Sequence, residues 1–334
     1  MKAAIIKEAG GDFIIEDVKK PSPKENEVLI KVEACGICHS DNFVKQGGFP
    51  GLEYPRIPGH EVVGVVEEVG EKVAIWKEGQ RVGVGWHGGH CFTCEACRRG
   101  DFIMCENAKV SGISYDGGYA EYMTAPQEAI AAIPDELSSA DAAPLLCAGI
   151  TVYNALRNSG IRAGDVVAIQ GIGGLGHLAV QYAAKMGMKT VAISHSNDKK
   201  DLAEKLGAHE FINTSEKDAS KELQKLGGAS LILATAPHSD AISSVVDGLA
   251  TDGKLLMVAA TGEPIEVSPM QLLMGRKTAA GWPSGTAIDS EDTLKFSAMT
   301  GTKPMIEEYS LDDVNEAFEK MMNNKARFRV VLKP

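Results

Sequence analysis

The chain has 334 residues, of which 44% are hydrophobic and 24% are charged, and its formal net charge at pH 7 is -11. This length suits two globular domains of about 100–200 residues each. The acidic balance argues against nucleic acid or an anionic membrane surface as a partner, because both select a basic protein surface.

The amino terminus carries charges at Lys2, Lys7 and Glu8, so it lacks the apolar core of a secretory signal. No stretch reaches the roughly 18 uninterrupted apolar residues of a membrane helix. We therefore expect a cytoplasmic protein without a membrane partner. In that reducing compartment the seven cysteines are better interpreted as metal ligands than as disulfide partners.

The first part of the chain consists of short alternating runs separated by glycine and proline, which predicts an irregular, mostly-β domain. Its predicted strands are AAIIKEA, EVLIKVEA, EVVGVVEEVG, QRVGVG and GGYAEYMTA. From residue 150, short apolar strands alternate with amphipathic helices, from DVVAIQG through helix DAISSVVDGLA to strand KLLMVAA. That alternation indicates a parallel sheet covered by helices on both faces. The tail predicts helix, strand, helix and a final strand, RFRVVLK, which we expect to pair with the first domain.

Four cysteines, Cys91, Cys94, Cys97 and Cys105, lie in a polar segment that cannot bury them as hydrophobes. Their spacing, C-x2-C-x2-C-x7-C, lets four thiolates close a tetrahedron around Zn²⁺ with no open position, which is typical of a structural site. Metal binding would order a loop that has no core of its own. An iron–sulfur cluster is the main alternative, and disulfide pairing is a weaker one.

A second set of ligand-type residues is dispersed along the chain, with Cys38 in CGICHSD, His60 in PGHE and Cys147 in PLLCAG. Two thiolates and an imidazole match the open, three-ligand pattern of a catalytic zinc. Each residue alone is more typical of a protein core. Their joint presence beside a dinucleotide-binding pattern favours a metal site.

That pattern is GIGGLG, which fits G-x-G-x-x-G at Gly171, Gly173 and Gly176 and also contains Gly174. It follows a predicted strand and opens a predicted helix, which is the context that supports a dinucleotide site. The first glycine makes a tight turn, and the second lets the backbone approach a pyrophosphate at the helix amino terminus. The third lets the helix pack closely against the strand.

The next predicted strand ends at Ser194, where an NAD site usually has the acid that binds the ribose 2′-hydroxyl. Without that carboxylate a 2′-phosphate is not repelled, and Ser194, His195 and Lys199 or Lys200 offer donors and positive charge. NADP(H) is therefore favoured over NAD(H). NAD(H) remains an alternative, because the negative charge of Asp198 offsets part of the positive charge of the lysines.

The motifs CGICHSD, GHEVVGVVEEVG, LLCAGITVYNAL and GIGGLG, together with the four-cysteine loop, resemble the zinc-dependent medium-chain alcohol dehydrogenases in order and spacing. The resemblance covers essentially the whole chain. It implies an α/β protein with a mostly-β, GroES-like catalytic domain at 1–149 and 285–334. It also implies a Rossmann-type coenzyme domain, with a doubly wound parallel sheet, at 150–284. The implied activity interconverts primary alcohols and aldehydes by hydride transfer to or from a nicotinamide dinucleotide.

By matching position, the resemblance implies two zinc ions per chain. Cys38, His60 and Cys147 would hold the catalytic ion, and the four loop cysteines would hold the structural one. Asp41 and Glu61 match carboxylates that orient the histidine ligand and tune the metal.

Further roles are implied near the substrate and the coenzyme. Ser40 would bond the alcohol oxygen and begin a proton relay, whereas Phe43 occupies the position where many relatives end that relay on a histidine. His39 would meet the coenzyme pyrophosphate. Thr151 and Leu175 would border the nicotinamide.

The substrate pocket and the assembly are less constrained. Phe43, Phe49 and Trp86 lie on segments that wall the family's substrate cleft, so a small alcohol or aldehyde in an apolar pocket is expected. The resemblance also implies a homo-oligomer, with a tetramer favoured over a dimer. The strand LLMVAATG and the segment PSGT are candidate contact segments.

Three alternative interpretations of the residues stay open. A polyol or secondary-alcohol dehydrogenase would share the fold and the cofactor. In many of those enzymes the third zinc ligand is a carboxylate, so the cysteine at position 147 argues against them. A zinc-free quinone reductase would lack both cysteine sets. A non-enzymatic zinc module for partner binding is opposed by the acidic balance and by the second ligand set.

Overall fold

Residues 1–334 are described by a computed structural model, in which the chain forms two units. One unit comprises Met1–Ile150 and Gly285–Pro334, and the other comprises Thr151–Ser284. Both ends of the chain therefore belong to the first unit. No helix is both long enough and apolar enough to cross a membrane.

Before residue 148 the chain forms short strands and three short helices. The strands are β1 (Lys2–Ile5), β2 (Ile14–Asp17), β3 (Glu27–Ile37), β4 (Val62–Val69), β5 (Arg81–Val84), β6 (His87–Gly89), β7 (Lys109–Val110), β8 (Tyr122–Pro126) and β9 (Ile130–Ala132). The helices are α1 (Asp41–Gln46), α2 (Glu95–Arg98) and α3 (Ser139–Ala142). Single 3₁₀ turns occur at Phe102–Met104, Gln127–Ala129 and Ala143–Leu146.

Helix α4 (Ala148–Asn158) leads into the second unit. The strands there are β10 (Val166–Gln170), β11 (Lys189–Ser194), β12 (Glu210–Asn213), β13 (Ala229–Ala234), β14 (Leu249–Met257) and β15 (Thr278–Gly281). The helices are α5 (Gly176–Lys185), α6 (Lys200–Lys205), α7 (Ala219–Lys225), α8 (Ser239–Ser243) and α9 (Pro269–Leu273). The tail adds α10 (Ala287–Thr300), β16 (Ile306–Ser310), α11 (Val314–Met322) and β17 (Arg329–Lys333).

Strand β3 lies at the centre of the seven-stranded sheet of the first unit, in the order β16-β17-β3-β4-β5-β9 with β8 also paired to β3. Ile30, Val32 and Ala34 are buried while Lys31 and Glu33 between them are exposed, so this part of the strand alternates as a strand with one face on a core does. The predicted return of the final strand is confirmed, because β17 pairs antiparallel with the end of β3.

The second unit contains a six-stranded sheet in the order β12-β11-β10-β13-β14-β15, and every neighbouring pair is parallel. The predicted parallel sheet is confirmed. Numbered from β10, this is the order 3-2-1-4-5-6 of a doubly wound sheet, in which ligands bind at the carboxyl ends where the order reverses. That switch point lies between β10 and β13.

Three details of the second unit differ from the sequence-based prediction, one of which is that helix α9 was not predicted. The helix predicted over DAISSVVDGLA is wrong in length, because α8 ends at Ser243 and Leu249 already belongs to β14. Leu249 is buried and pairs with Ala229 of β13, so tertiary pairing overrides the local helical pattern. Strand β15 was not predicted, because its sequence TAAG has no hydrophobic period to detect.

Candidate metal centres and coenzyme site

Cys38 and His60 come together because β3 and β4 pair antiparallel. Cys38 directly follows β3, and His60 lies two residues before β4. The Gly36 amide donates to the Glu61 carbonyl at 3.0 Å, which extends the pairing to this end of the strands. Cys147 directly follows a 3₁₀ turn and precedes α4. Three separate segments thus bring their side chains to one place.

The cluster has the dimensions of a metal site. The ligand atoms of Cys38, His60, Glu61 and Cys147 all lie within 4.8 Å of one another. The sulfur atoms of Cys38 and Cys147 are 3.8 Å apart, which fits two ligands about 2.3 Å from a tetrahedral Zn²⁺. His60 is 1% exposed, yet its Nε2 atom has no hydrogen-bond partner. Such buried orphan atoms are rare in folded proteins, and a cation would satisfy this one.

The surroundings of Cys38 favour its thiolate form. Contact with Cys147 is the main cause that holds the pKa of Cys38 well below its ordinary value, and His60 and Arg329 act in the same direction. Burial lowers the pKa of His60, but Asp41 and Cys38 together raise it by more. The thiolate is the form of cysteine that binds metals, so the electrostatics favour a metal ligand at Cys38. Contact with Cys38 and burial instead raise the pKa of Cys147.

Asp41 is 1% exposed and accepts three hydrogen bonds. Its Oδ1 atom lies 3.1 Å from His60 Nδ1, and its Oδ2 atom accepts from the Cys38 amide and the Tyr119 hydroxyl, each at 2.8 Å. An ionised carboxylate accepts only, so Nδ1 carries the proton and Nε2 is left as a metal ligand. Tyr119 was missed by sequence reasoning, since no local signal relates it to a residue 78 positions away.

Glu61 is fully buried and forms an ion pair with Arg329 of β17. Arg329 also donates to the Ile37 carbonyl at 3.2 Å. Burial raises the pKa of Glu61 to about 7, although Arg329 acts in the opposite direction. We expected Glu61 to orient the histidine, but Asp41 contacts the His60 imidazole and Glu61 is bonded to Arg329. Arg329 was also not predicted. The one signal for it in the sequence is that a charged residue stands at the start of an apolar strand, where it needs a buried partner.

The four loop cysteines converge, with all four sulfur atoms within 4.8 Å of one another. Cys105 Sγ lies 3.6 Å from Cys91 Sγ and 3.9 Å from Cys94 Sγ. The Cys94 and Asn107 amides donate to sulfur atoms of the cluster. Hydrogen bonds, first among them one from the Thr93 side chain, lower the pKa of Cys91 to about 5. Four convergent sulfurs that already receive amide donors fit a closed zinc site.

A pair of histidines, one buried and one half-buried, precedes the cysteine loop. His87 is 4% exposed, and its Nε2 atom lies 3.2 Å from His90 Nδ1. The His90 ring stacks on Phe102 with centroids 4.2 Å apart. Burial, followed by repulsion from His90, lowers the pKa of His87 to about 4. The folded chain therefore holds His87 as a neutral imidazole.

One of the three predicted pocket aromatics, Trp86, lies beside His60, and a second, Phe49, lies against Trp86. The Trp86 ring meets the His60 ring edge-on, with centroids 5.0 Å apart, and the Phe49 ring lies 6.2 Å from Trp86. Phe43 lies on α1 and is 44% exposed. An apolar wall thus adjoins the candidate metal centre.

The glycine turn GIGGLG connects β10 to α5. Gly171 has a φ of 91°, a left-handed conformation that favours glycine, and its amide donates to the Ile193 carbonyl at 3.0 Å. A Cβ atom on Gly176 would overlap the Gly171 carbonyl, whereas a Cβ atom on Gly173 would meet nothing within 4 Å. The backbone at Gly173 therefore borders open space at the start of a ten-residue helix, which fits a dinucleotide pyrophosphate.

The residues predicted to recognise the ribose follow β11. Ser194 is its last residue, and His195 is exposed directly after it. Lys199 reaches back to the glycine turn, where its Nζ atom donates to the Ile172 carbonyl at 2.7 Å. The nearby Asp198 carboxylate accepts a hydrogen bond from a neighbouring serine hydroxyl. The fold thus brings Lys199 to the turn, a contact that the sequence did not reveal.

The other predicted positions lie in turns or first helical turns. His39 is exposed and Ser40 is half-buried, and both precede α1, which Ser40 does not cap with its side chain. Thr151 is buried near the start of α4, and Leu175 directly precedes α5. Such positions commonly present side chains to ligands.

Known proteins match both parts of the chain. Residues 24–135 match the alcohol dehydrogenase GroES-like domain, and residues 174–300 match the zinc-binding dehydrogenase family. Alcohol dehydrogenase patD of Penicillium expansum is 50% identical over 331 residues, which cover 99% of this chain and 97% of that protein. A cinnamyl alcohol dehydrogenase of Sorghum bicolor superimposes with a TM-score of 0.90 at 32% identity, over 99% of this chain and 97% of that one. CAD from Helicobacter pylori complexed with NADP(H) superimposes with a TM-score of 0.89 at 27% identity, over 99% and 97%.

The chain belongs to the zinc-dependent medium-chain alcohol dehydrogenase family. It is an enzyme with zinc-dependent alcohol dehydrogenase activity, a nicotinamide cofactor and a small-molecule substrate. The predicted family, the predicted enzyme class and the predicted pairing of GroES-like and Rossmann-type folds are therefore confirmed.

The histidine pair generates a prediction about stability and pH. The pKa of His87 is about 4 in the folded chain against an ordinary value of 6.5, so the unfolded chain binds the extra proton first as the pH falls. Stability that is complete above pH 6.5 is therefore lost towards pH 4, by an amount on the order of 3 kcal/mol. We expect His87→Gln to flatten this loss in urea denaturation, whereas His238→Gln, at an exposed histidine, leaves it unchanged. Equal pH slopes for the His87 variant and the wild type would contradict this.

Proposed function

We propose that this dehydrogenase interconverts primary alcohols and aldehydes with NADP(H), using a zinc ion held by Cys38, His60 and Cys147. The observation that carries the proposal is the convergence of these side chains around the unpartnered Nε2 atom of His60. These three side chains would hold the ion as an open, catalytic type of site. When bound, zinc supplies Lewis acidity and the nicotinamide supplies hydride chemistry.

The two parts of the chain divide this work in our proposal. Residues 1–149 with 285–334 carry the metal chemistry, and residues 150–284 bind the dinucleotide. The four loop cysteines hold a second, structural zinc, which gives two ions per chain. All seven cysteines are free, a state that the cytoplasm, the compartment we propose, maintains by reduction.

The protein's own side chains position the substrate and its proton. We assign to the Ser40 hydroxyl the hydrogen bond to the alcohol oxygen, so that Ser40 would accept the proton of the substrate hydroxyl and pass on its own. Phe43 has no group that carries a proton. Trp86 beside His60, with Phe49 packed against Trp86, favours a primary alcohol, because a second substituent on the reacting carbon would need space there. His39 is assigned to the pyrophosphate, and Thr151 and Leu175 to the nicotinamide.

Replacing one proposed ligand tests the metal centre. We expect Cys147→Ala to retain one zinc per chain instead of two and to lose kcat/KM for benzyl alcohol by about 10³-fold, because the ion that polarises the substrate is lost. Elemental analysis of the purified protein measures the zinc, and coenzyme absorbance measures the rate.

The wild type should also favour 1-butanol over 2-butanol in the same assay.

The matched control is Cys35→Ala. Cys35 is a fully buried free cysteine of the same unit that belongs to neither cluster. We expect this variant to keep two zinc ions and near wild-type kcat/KM. Loss of zinc from the control, or full activity in Cys147→Ala, would refute the assignment.

The proposed preference for NADP(H) rests on the end of β11. Ser194 contributes no carboxylate there, and Lys199 brings a cation to the glycine turn. A 2′-phosphate carries negative charge that an acid at this position would repel. The related CAD from Helicobacter pylori, complexed with NADP(H), adds support by similarity.

Placing an acid at residue 194 tests the coenzyme preference. We expect Ser194→Asp to weaken NADPH binding by about tenfold or more and to leave NADH binding equal or tighter, since the carboxylate repels only the 2′-phosphate. The quenching of intrinsic fluorescence gives both dissociation constants. Ser244→Asp, at an exposed serine elsewhere in the unit, controls for net charge. A wild type that prefers NADH would reject this part of the proposal.

We propose that the chain forms a homo-oligomer, with a tetramer favoured. The candidate contact strand LLMVAATG begins in β14, which lies inside the sheet between β13 and β15, so the edge strand β15 replaces it in this proposal. Met270, Leu273 and Met274, on and after α9, are exposed. An open strand edge beside apolar side chains is a typical contact surface. Sedimentation velocity should show that Leu273→Glu dissociates the assembly, whereas Met299→Glu, at an exposed methionine of the first unit, does not. A monomeric wild type would refute this.

A further inference from the structure

A tyrosine lies directly behind the carboxylate that contacts the metal-binding histidine. Tyr119 is 0% exposed, and its hydroxyl donates to Asp41 Oδ2 at 2.8 Å. The other carboxylate oxygen of Asp41 lies 3.1 Å from His60 Nδ1. The three side chains form a continuous, buried hydrogen-bonded series that ends at the unpartnered Nε2 atom of His60.

The backbone holds Tyr119 against the loop that carries His60. The Tyr119 amide donates to the Pro58 carbonyl at 3.0 Å, and the Gly118 amide donates to the Gly59 carbonyl at 3.1 Å. Gly59, next to His60, has a φ of 104°, and a Cβ atom there would collide with the Tyr119 ring. The tyrosine ring therefore fills the space that the missing side chain of Gly59 leaves. The backbone hydrogen bonds and this packing fix the position of the ring against the loop that carries His60.

The hydrogen-bonding capacity of Asp41 explains why the hydroxyl matters. The Oδ2 atom receives the Cys38 amide and the Tyr119 hydroxyl, which leaves Oδ1 to the imidazole. Burial raises the pKa of Tyr119 well above its ordinary value, so the phenol keeps its proton and remains a donor. Without this donor, a carboxylate that is 1% exposed has one acceptor position unsatisfied and is free to rotate towards other donors.

We propose that Tyr119 is a positioning residue of the catalytic metal centre: its hydroxyl holds the Asp41 carboxylate in the orientation that keeps His60 Nε2 available as the metal ligand. The inference rests on the proposed zinc site at Cys38, His60 and Cys147. Removing a group that orients a metal-binding histidine typically costs 10–100-fold in metal affinity or activity. Tyr119 acts one contact further out, through Asp41, so we expect an effect near the lower end of that range.

The rate of zinc release tests the inference without relying on turnover. The zinc-loaded holoenzyme is mixed with an excess of a chromophoric chelator, and the absorbance of the chelator follows zinc release over time. The kinetic phase that the wild type shows and Cys147→Ala lacks is the release of zinc from the catalytic site. We expect Tyr119→Phe, which keeps the ring and its packing, to accelerate that phase by about tenfold. The phase from the four loop cysteines should not change. Tyr115→Phe is the matched control, because its hydroxyl donates to the Gly88 carbonyl at 3.0 Å and not to Asp41.

A double-mutant cycle separates positioning from a general loss of packing. If Tyr119 acts through Asp41, then Tyr119→Phe should change the release rate less than twofold when it is added to Asp41→Asn. An unchanged rate in the single variant, or a full tenfold effect in the Asp41→Asn background, would overturn the inference while the zinc site stands. A wild type that holds no zinc outside the loop cysteines would overturn the proposed function and this inference together.

Discussion

The burial of charge beneath the candidate catalytic cluster is the constraint on which the first unit depends. Asp41, His60, Glu61 and Arg329 are all nearly inaccessible to solvent, and groups of this kind are tolerated at such depth only when they are paired and hydrogen-bonded. Their partners come from the turn after β3, the loop before β4, the segment before β8 and the last strand, β17. The same contacts that satisfy these charges therefore join the two ends of the chain in one unit.

The two cysteine clusters use the same ligand atom in different ways. In the loop, Cys91 and Cys105 are 14 positions apart, and nearby backbone amides donate to the sulfurs, so short-range turns are enough to assemble the site. Cys38 and Cys147 are 109 positions apart and meet only because the sheet is folded. A locally assembled set of four sulfurs agrees with the structural ion that we propose there, and a set assembled by the whole fold agrees with the catalytic ion that we propose at Cys38, His60 and Cys147.

The second unit shows the same dependence of a local motif on its sheet. The turn GIGGLG leaves β10 at the point where the strand order reverses, so its open side at Gly173 lies at the carboxyl edge of the sheet. Lys199 approaches this turn from the segment after β11, which is the strand parallel to β10. Parallel pairing therefore brings the residues that follow both strands to one edge, where we propose that the coenzyme phosphates bind.

The sequence by itself determined the fold class and the family, and it predicted the ligand-type residues and the glycine turn, because each depends on short-range spacing or on a periodic pattern of apolar residues. It did not reveal the hydroxyl of Tyr119, the charge of Arg329 behind Glu61, or the reach of Lys199 to Ile172. It also overextended the helix that ends at Ser243 and missed β15, since strand pairing outweighed local propensity there. Only the tertiary structure decided these features, because a buried polar group takes its partner from whichever segment the fold brings within about 3 Å, however distant along the chain.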